Sequence, residues 1–334
     1  MLPNREPLRL LITGANGFVG RHLVAGALAE TETQVLAAVH RHSSPLVPDT
    51  LPMAGWRGDT AGGRVEIVEM DICDAAATKT GIARMRPHQI VHLAARASGA
   101  DADREAVFEV NVNGTRNLLE AASLVSPFPR TLVVSTGYVY GSIEPSKPSL
   151  ESDPLGPLWR FGPYVDSKIE MENVSRSYRG FALIARPFAH TGPGQPPYFA
   201  LPSFARQLAR IEQGLEPPRI KVGNLEALRD MLDVRDVVRA YLLLLQYGIP
   251  GDIVNIATGQ PHSMRFYLDS LRQEASVATE VERDPARLRA ADIACSSGDA
   301  TYLTQLTGWT PRYSTQATLR DMLAYWRQKV SAER

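Results

Sequence analysis

Cysteine is scarce in this chain. Cys73 and Cys295 are the only two in 334 residues, and their spacing matches no metal-ligand motif, which argues against a thiolate-built metal centre. So few cysteines also point to a reducing compartment without structural disulfides. Neither sign of charge is in excess: 36 Lys and Arg balance 36 Asp and Glu. No global field therefore favours nucleic acid or an anionic membrane, and any anion must be held by local groups. Long apolar runs are missing too. "YLLLLQY" at 241–247 is far below spanning length, and the apolar run in "MLPNREPLRLLITG" is too short for a signal peptide. Internal repeats and low-complexity tracts are absent. A cytoplasmic protein with no membrane or nucleic-acid partner is expected.

What is present is alternation. "LRLLIT" (8–13), "QVLAAV" (34–39), "RVEIVEM" (64–70), "QIVHLAA" (89–95), "RTLVVST" (130–136) and "GFALIARP" (180–187) read as short buried strands. Helical patterns fill 17–30, 74–86 and 103–124 between them. This order implies βαβ units and a parallel sheet covered on both faces, an α/β fold. After Pro187 the text turns to Pro- and Gly-rich loop, then shorter elements such as "SFARQLARIEQG" (203–214) and "DVRDVVRAYLLLL" (233–245). A soft boundary near 187 is expected: residues 1–187 form the main sheet domain and 188–334 mainly a smaller lobe, with segments near 233–257 rejoining the sheet. Residues 40–63 form a long irregular insertion of the kind that is usually functional or mobile.

"TGANGFVG" (13–20) follows the first strand and opens the first helix. Gly14, Gly17 and Gly20 permit a tight turn that brings backbone N–H groups up to a pyrophosphate, and the helix N-terminus adds a favourable dipole. Three glycines in a turn also suit a purely structural role, which the flanking strand and helix make less apt. The second strand ends "AAVHRHSS", without the acid that would bond the ribose hydroxyls of NAD. Arg41, with Ser43 and Ser44 nearby, suits the extra phosphate of NADP. The expected cofactor is NADP(H), with NAD(H) an option; a solvated basic loop is the alternative for Arg41. Asp71, after the third strand, is placed to accept from an adenine amino group, while Asp74 is the better cap for the next helix.

"GPYVDSKIEMEN" (162–173) puts Tyr164 and Lys168 four apart, on one helix face. An ammonium beside a phenol lowers its pKa from about 10 and suits it to exchange a proton with a carbonyl or alcohol oxygen. Alone, the pair better describes a half-buried tyrosine stacked on a lysine stem. "VVSTGYVYG" (133–141) adds the Ser135 and Thr136 hydroxyls at the strand end where ligands of open α/β sheets bind.

"TGANGFVG", "VHLAA", "NVNGT", "STGYVYG", "YVDSK" and "RPFAHTGPGQ" occur in order from about residue 8, and the chain to about 329 resembles the extended short-chain dehydrogenase/reductases that act on nucleotide sugars. The resemblance implies a Rossmann-type doubly wound parallel sheet with a smaller C-terminal α/β substrate lobe. It implies Tyr164 as acid/base, Lys168 on the nicotinamide ribose, Thr136 orienting substrate, and Asn111 supporting the cofactor side. It places Asn16, Phe18, Val19, Ile72, Leu93, Ala94, Ala95 and Pro187 along the cofactor. Dehydratases of the family carry an acid, usually Glu, two positions beyond the motif Thr; here Gly137 and Tyr138 follow. The C-terminal motifs are similar to those of family reductases that act on the C4 ketone of a GDP-4-keto-6-deoxy-hexose. This implies a GDP-sugar substrate, Arg229 on its pyrophosphate, and Arg289 and Asp292 on the nucleotide. Ala189 and Ala290 depart from the usual Asn and Pro and leave the sugar open. An epimerase that keeps its cofactor bound, and a non-catalytic dinucleotide-binding regulator, are the competing readings. The resemblance also implies a homodimer through helices near 103–124 and 163–179.

Overall fold

The computed structural model describes residues 7–30, 33–40, 64–96, 103–156, 162–288 and 293–333. Arg41, Arg289, Asp292 and nearly all of the 40–63 insertion lie outside them. Seven parallel strands form the central sheet: β1 (Arg9–Thr13), β2 (Gln34–Val39), β3 (Val65–Glu69), β4 (Gln89–His92), β5 (Arg130–Val134), β6 (Ala182–Pro187) and β11 (Ile253–Ile256). Their order is β3-β2-β1-β4-β5-β6-β11, so the winding reverses between β1 and β4. In such sheets the crevice outside that reversal, at the carboxyl ends of the strands, receives ligands. The inner strands are mostly apolar because helices cover both faces, while the edge strand β3 exposes Glu66, Ile67 and Glu69.

One face is closed by α1 (Phe18–Glu30) and α7 (Val234–Tyr247), whose Leu23, Val24, Val237 and Tyr241 are buried in one cluster. The other is closed by α2 (Ala75–Met85), α4 (Gly114–Ser123) and α5 (Pro163–Arg176), through Ile82, Leu118 and Met171. The helix expected over 103–124 is two: α3 (Arg104–Phe108) and α4, joined by a π turn at Glu109–Asn113. After β6 come β7 (His190–Thr191), α6 (Ala200–Glu212), β8 (Arg219–Val222), β9 (Leu228–Arg229) and β10 (Leu232–Asp233). The chain returns to the sheet through α7 and β11, which pairs with β6. The elements β12 (His262–Ser263), α8 (Met264–Glu274), β13 (Glu280–Arg283), β14 (Cys295–Ser296), α9 (Thr301–Thr307) and α10 (Thr315–Ser331) complete the chain. A third apolar cluster gathers among α6, β8, α8 and α10. Among the described residues no helix is long and apolar enough to cross a membrane, and no group of His, Cys, Asp and Glu is arranged to hold a metal ion.

Two polar features cross this core. Arg186, on β6, and Glu172, on α5, are 1% and 0% exposed. Arg186 meets the carboxylate with two hydrogen bonds, Nε to Oε1 at 2.9 Å and Nη2 to Oε2 at 2.6 Å. Burial disfavours the guanidinium charge, but the Glu172 hydrogen bonds and charge more than offset this and raise its pKa. Ser135 Oγ donates to the same carboxylate at 2.6 Å, and Arg186 Nη1 donates to Tyr140 Oη at 2.7 Å. The pair therefore ties α5 to the ends of β5 and β6.

The second feature spans β1, β4 and α4. Thr115 Oγ1 donates to the Asn111 carbonyl at 2.7 Å, so His92 Nε2, at 2.9 Å, must be the donor to that hydroxyl. His92 Nδ1 then accepts from Thr13 Oγ1 at 2.8 Å, and Thr13 accepts from the Ala94 N–H at 3.2 Å. His92 is thus held neutral as the Nε2–H tautomer, its pKa pushed down to about 3 by burial and then by the Lys168 charge. His22, donating to the Pro193 carbonyl, is pushed down to about 4 by burial.

Both features have measurable consequences. Arg186→Met leaves the Glu172 charge buried without its main partner and is expected to cost about 3–5 kcal/mol in urea unfolding. Adding Glu172→Leu should recover part of that loss. His22 and His92 bind protons in the unfolded chain below about pH 6.5 but not in the folded one until about 4 and 3. The unfolded state therefore gains protons first as pH falls, and stability drops below pH 6.5 by up to about 1.4 kcal/mol per pH unit for each histidine. Thermal melts from pH 7 to 4 check this, and His92→Phe should flatten the slope.

Candidate active site

The glycine turn sits at the winding reversal. Gly14 has φ of +68°, and a Cβ there would lie 2.9 Å from the Ala94 nitrogen. A Cβ on Gly20 would lie 2.3 Å from the Gly14 carbonyl oxygen. Only glycine permits both the turn and this close packing of the α1 start on β1. Asn16 is partly exposed and Gly17 exposed in the turn, and α1 opens directly after it at Phe18. Phe18 stacks on His190 and meets His22 edge-on, while Val19 packs on the main core. Leu93 and Ala94 close the opposite side: the Leu93 N–H bonds the Thr13 carbonyl, and Ala95 is exposed beyond them. A cradle that a single Cβ would fill, facing a helix N-terminus, fits a dinucleotide pyrophosphate.

At the β3 edge, Asp71 Oδ1 accepts the Cys73 N–H at 2.9 Å and Oδ2 lies 3.8 Å from His40 Nε2. Asp74 caps α2 through Ala77. Ile72 is buried under Gly114 of α4. Pro187 ends β6, opposite Ile256.

Tyr164 and Lys168 lie one turn apart at the start of α5, which opens with Pro163 after Gly162. Lys168 Nζ is 6.0 Å from the Tyr164 ring centroid and donates to the Val134 carbonyl at 2.8 Å. Burial pushes the Lys168 pKa down to about 8, against the Glu172 charge one turn on. The Tyr164 phenol behaves opposite to the lowering expected from sequence. Burial, and then the Tyr138 charge, push it up to about 12, and a hydrogen bond with the Thr136 side chain only partly opposes this. The ammonium faces the backbone carbonyl of β5, so its field does not offset the desolvation of the phenol. Thr136, 6% exposed, ends β5 beside it.

Asn111 lies in the π turn, wholly buried. Its Nδ2 donates to Ser167 Oγ at 2.8 Å, and Ser167 Oγ donates to the Tyr164 carbonyl at 2.7 Å. Its Oδ1 accepts the Arg96 N–H at 2.7 Å. Asn111 thus joins the loop after β4 to the turn that carries Tyr164. A π turn at a functional residue is a recurrent device, since it redirects one side chain out of the helical register. Across the crevice, Arg229 Nη1 donates to the Leu228 and Ile293 carbonyls at 2.9 and 2.6 Å, and its guanidinium lies 5.9 Å from the Tyr138 ring centroid. Buried Asp230 beside it accepts from Thr258, Gly259 and Ser297 and anchors the segment.

The structure therefore brings the glycine turn, Ala94, Asn111, Thr136, Tyr164, Lys168 and Arg229 to one edge of the sheet. Sequence reasoning missed Tyr138, Ser167, and the Arg186–Glu172 pair behind them. Their telling contacts cross between elements: Tyr138 to Arg229, Ser167 to Asn111, and Arg186 to Glu172. A Cβ on Gly137 would lie 2.7 Å from the Phe188 ring, so residue 137 has no room for a carboxylate, and residue 138 offers a phenol.

Residues 11–322 match the family model for GDP-mannose 4,6 dehydratase. The chain is 34% identical to GDP-6-deoxy-D-mannose reductase of Pseudomonas aeruginosa, over 97% of this chain and 99% of that protein. Among solved structures it is similar to RMD from Pseudomonas aeruginosa complexed with NADPH: TM-score 0.80, 32% identity, covering 96% of this chain and 99% of that one. It is also similar to a putative epimerase from Burkholderia cenocepacia, with TM-score 0.82 and 30% identity over 97% and 100% of the two chains. With the doubly wound sheet, the glycine cradle and the Tyr–Lys helix at its edge, these matches show that the chain belongs to the GDP-mannose 4,6-dehydratase family of extended short-chain dehydrogenase/reductases and is an NAD(P)-dependent oxidoreductase of that class.

Proposed function

We propose that the protein reduces the C4 ketone of a GDP-4-keto-6-deoxy-hexose, with Tyr164 as the proton donor. One observation carries this reading: a phenol hydrogen-bonded to Thr136 and held protonated at neutral pH, with no carboxylate at residues 137–138 to drive elimination of water. The family model is named for a dehydratase, but this site offers a proton donor without the second acid. The relative that is 34% identical over 97% of this chain is named as a reductase, which supports the same choice.

Gly14, Asn16, Gly17 and the α1 N-terminus would hold the cofactor pyrophosphate, Ala94 and Ala95 the adjoining face, Asp71 and Ile72 the adenosine end, and Lys168 the nicotinamide ribose. When bound, the reduced nicotinamide supplies the hydride. Thr136 and Tyr164 grip the ketone oxygen, and the Tyr164 hydroxyl gives it a proton as charge develops there. A phenol pushed up to about 12 is fully loaded for this at neutral pH. The phenolate left behind lies one turn from the Lys168 ammonium, which is still mostly protonated at pH 7. Asn111 and Ser167 hold that turn in register. Arg229 offers the diphosphate a guanidinium in a protein with no net charge to attract it; Arg289 and Asp292 are assigned to the nucleotide.

The reading includes a preference for NADP(H). β2 runs out into His40 and Arg41 with no acid, and the similar reductase structure holds NADPH. It also includes a homodimer built through α4 and α5, for which sedimentation at twice the chain mass is the expected result.

Incubation with GDP-4-keto-6-deoxy-mannose and NADPH should oxidise one cofactor per product formed. An epimerase would convert substrate with no net oxidation. Tyr164→Phe is expected to lower kcat by about 10²–10⁴ while leaving NADPH affinity nearly unchanged; unaltered turnover would sink the assignment. Arg41→Ala should weaken NADPH about 10- to 100-fold, the worth of a charge-assisted hydrogen bond of roughly 1.5–3 kcal/mol, and leave NADH binding alone. Fluorescence titration of both cofactors reads this directly.

A further inference from the structure

Tyr138 belongs to neither the cofactor cradle nor the Tyr164–Lys168 pair, yet it touches the surroundings of both. It lies half-buried on the 3₁₀ turn Gly137–Tyr140 that follows β5. Its N–H donates to Thr136 Oγ1, so its position is registered on the hydroxyl that also bonds Tyr164. Its ring packs with Tyr164 against the main core cluster. Its other side meets the Arg229 guanidinium 5.9 Å from the ring centroid, at the outer range of a cation–π contact. Phe188 fills the space beside Gly137 and keeps the turn from shifting inward. Arg229 is aimed from behind by two carbonyls, with Tyr267 Oη donating to its own carbonyl at 2.9 Å. Tyr138 thus meets the proton-donor side of the crevice through Thr136 and the cation side through its ring.

We propose that Tyr138 is a positioning residue of this site, its ring standing between Tyr164 and Arg229 so that a nucleotide sugar whose diphosphate is seated on Arg229 presents its ketone to the phenol. This rests on the assignment of Tyr164 as proton donor and Arg229 as a diphosphate contact. The ring face meets the guanidinium, and the backbone N–H ties the residue to Thr136 Oγ1. Tyr138→Phe keeps both contacts; Tyr138→Ala removes the ring and keeps the backbone tie.

The first measurement is a GDP-binding cycle, read by calorimetry and independent of turnover. Tyr138→Phe is expected to bind GDP within about twofold of the wild type, and Tyr138→Ala about three- to tenfold more weakly. The double variant Tyr138→Ala/Arg229→Leu should bind no more weakly than Arg229→Leu alone, since the ring acts through the guanidinium. Retained binding in Tyr138→Phe separates positioning from a general loss of folding. The second measurement is ketone reduction: Tyr138→Phe should keep KM within about twofold, while Tyr138→Ala should raise KM in step with its loss of GDP affinity. Additive losses in the cycle, or an unchanged KM in Tyr138→Ala, overturn the proposal. A wild type that binds GDP and shows the non-additive cycle but oxidises no NADPH refutes the reductase assignment and leaves the positioning role of the ring standing.

Discussion

The buried pair of Arg186 and Glu172 is the interaction on which the site depends. A carboxylate and a guanidinium this deeply enclosed are tolerated only because their hydrogen bonds are nearly complete. Glu172 takes two from Arg186 and one from Ser135, and Arg186 passes another to Tyr140, which in turn donates to Asn255 on β11. Three strands and one helix are thereby held in fixed register at the carboxyl edge of the sheet. Lys168 sits one turn from Glu172, and Thr136 follows Ser135 directly. The proton-donor role proposed for Tyr164 needs close placement, and this pair supplies a fixed frame behind it.

A second constraint comes from the glycines. Where Gly14 meets Ala94 and Gly20 meets the Gly14 carbonyl, the backbone of α1 is drawn against β1 and β4. That approach puts a helix N-terminus at the winding reversal. Thr13, His92 and Thr115 then lace the same strands to α4 with a proton arrangement that admits one tautomer only. Asn111 continues the lacing to Ser167 and the Tyr164 turn. The cofactor side and the proton-donor side are therefore coupled through buried hydrogen bonds as well as through packing.

The pattern of apolar runs and glycines made the sheet, its strand count through β6 and the cradle legible, because those signals are local: a strand shows itself in six residues and a phosphate turn in eight. The Tyr164–Lys168 spacing was equally visible. Its electrostatics were not. Sequence places an ammonium one turn from a phenol and leads to a lowered pKa, whereas burial of the phenol, and then Tyr138, raise it. The long helix expected over 103–124 concealed a π turn, since the extra residue at Asn111 interrupts no apolar period strongly enough to be seen.

By itself, then, the sequence determined the α/β class, the dinucleotide-binding turn, the candidate proton donor and the lack of a carboxylate beyond Thr136. Each is a property of consecutive residues. Only the tertiary structure decided which groups stand together: Arg186 with Tyr140, 46 residues away, Thr13 with His92, 79 away, and Arg229 against Tyr138 across the crevice. It also decided the protonation of Tyr164, Lys168 and His92, because desolvation depends on what the folded chain packs around a group, and no local stretch of sequence carries that information.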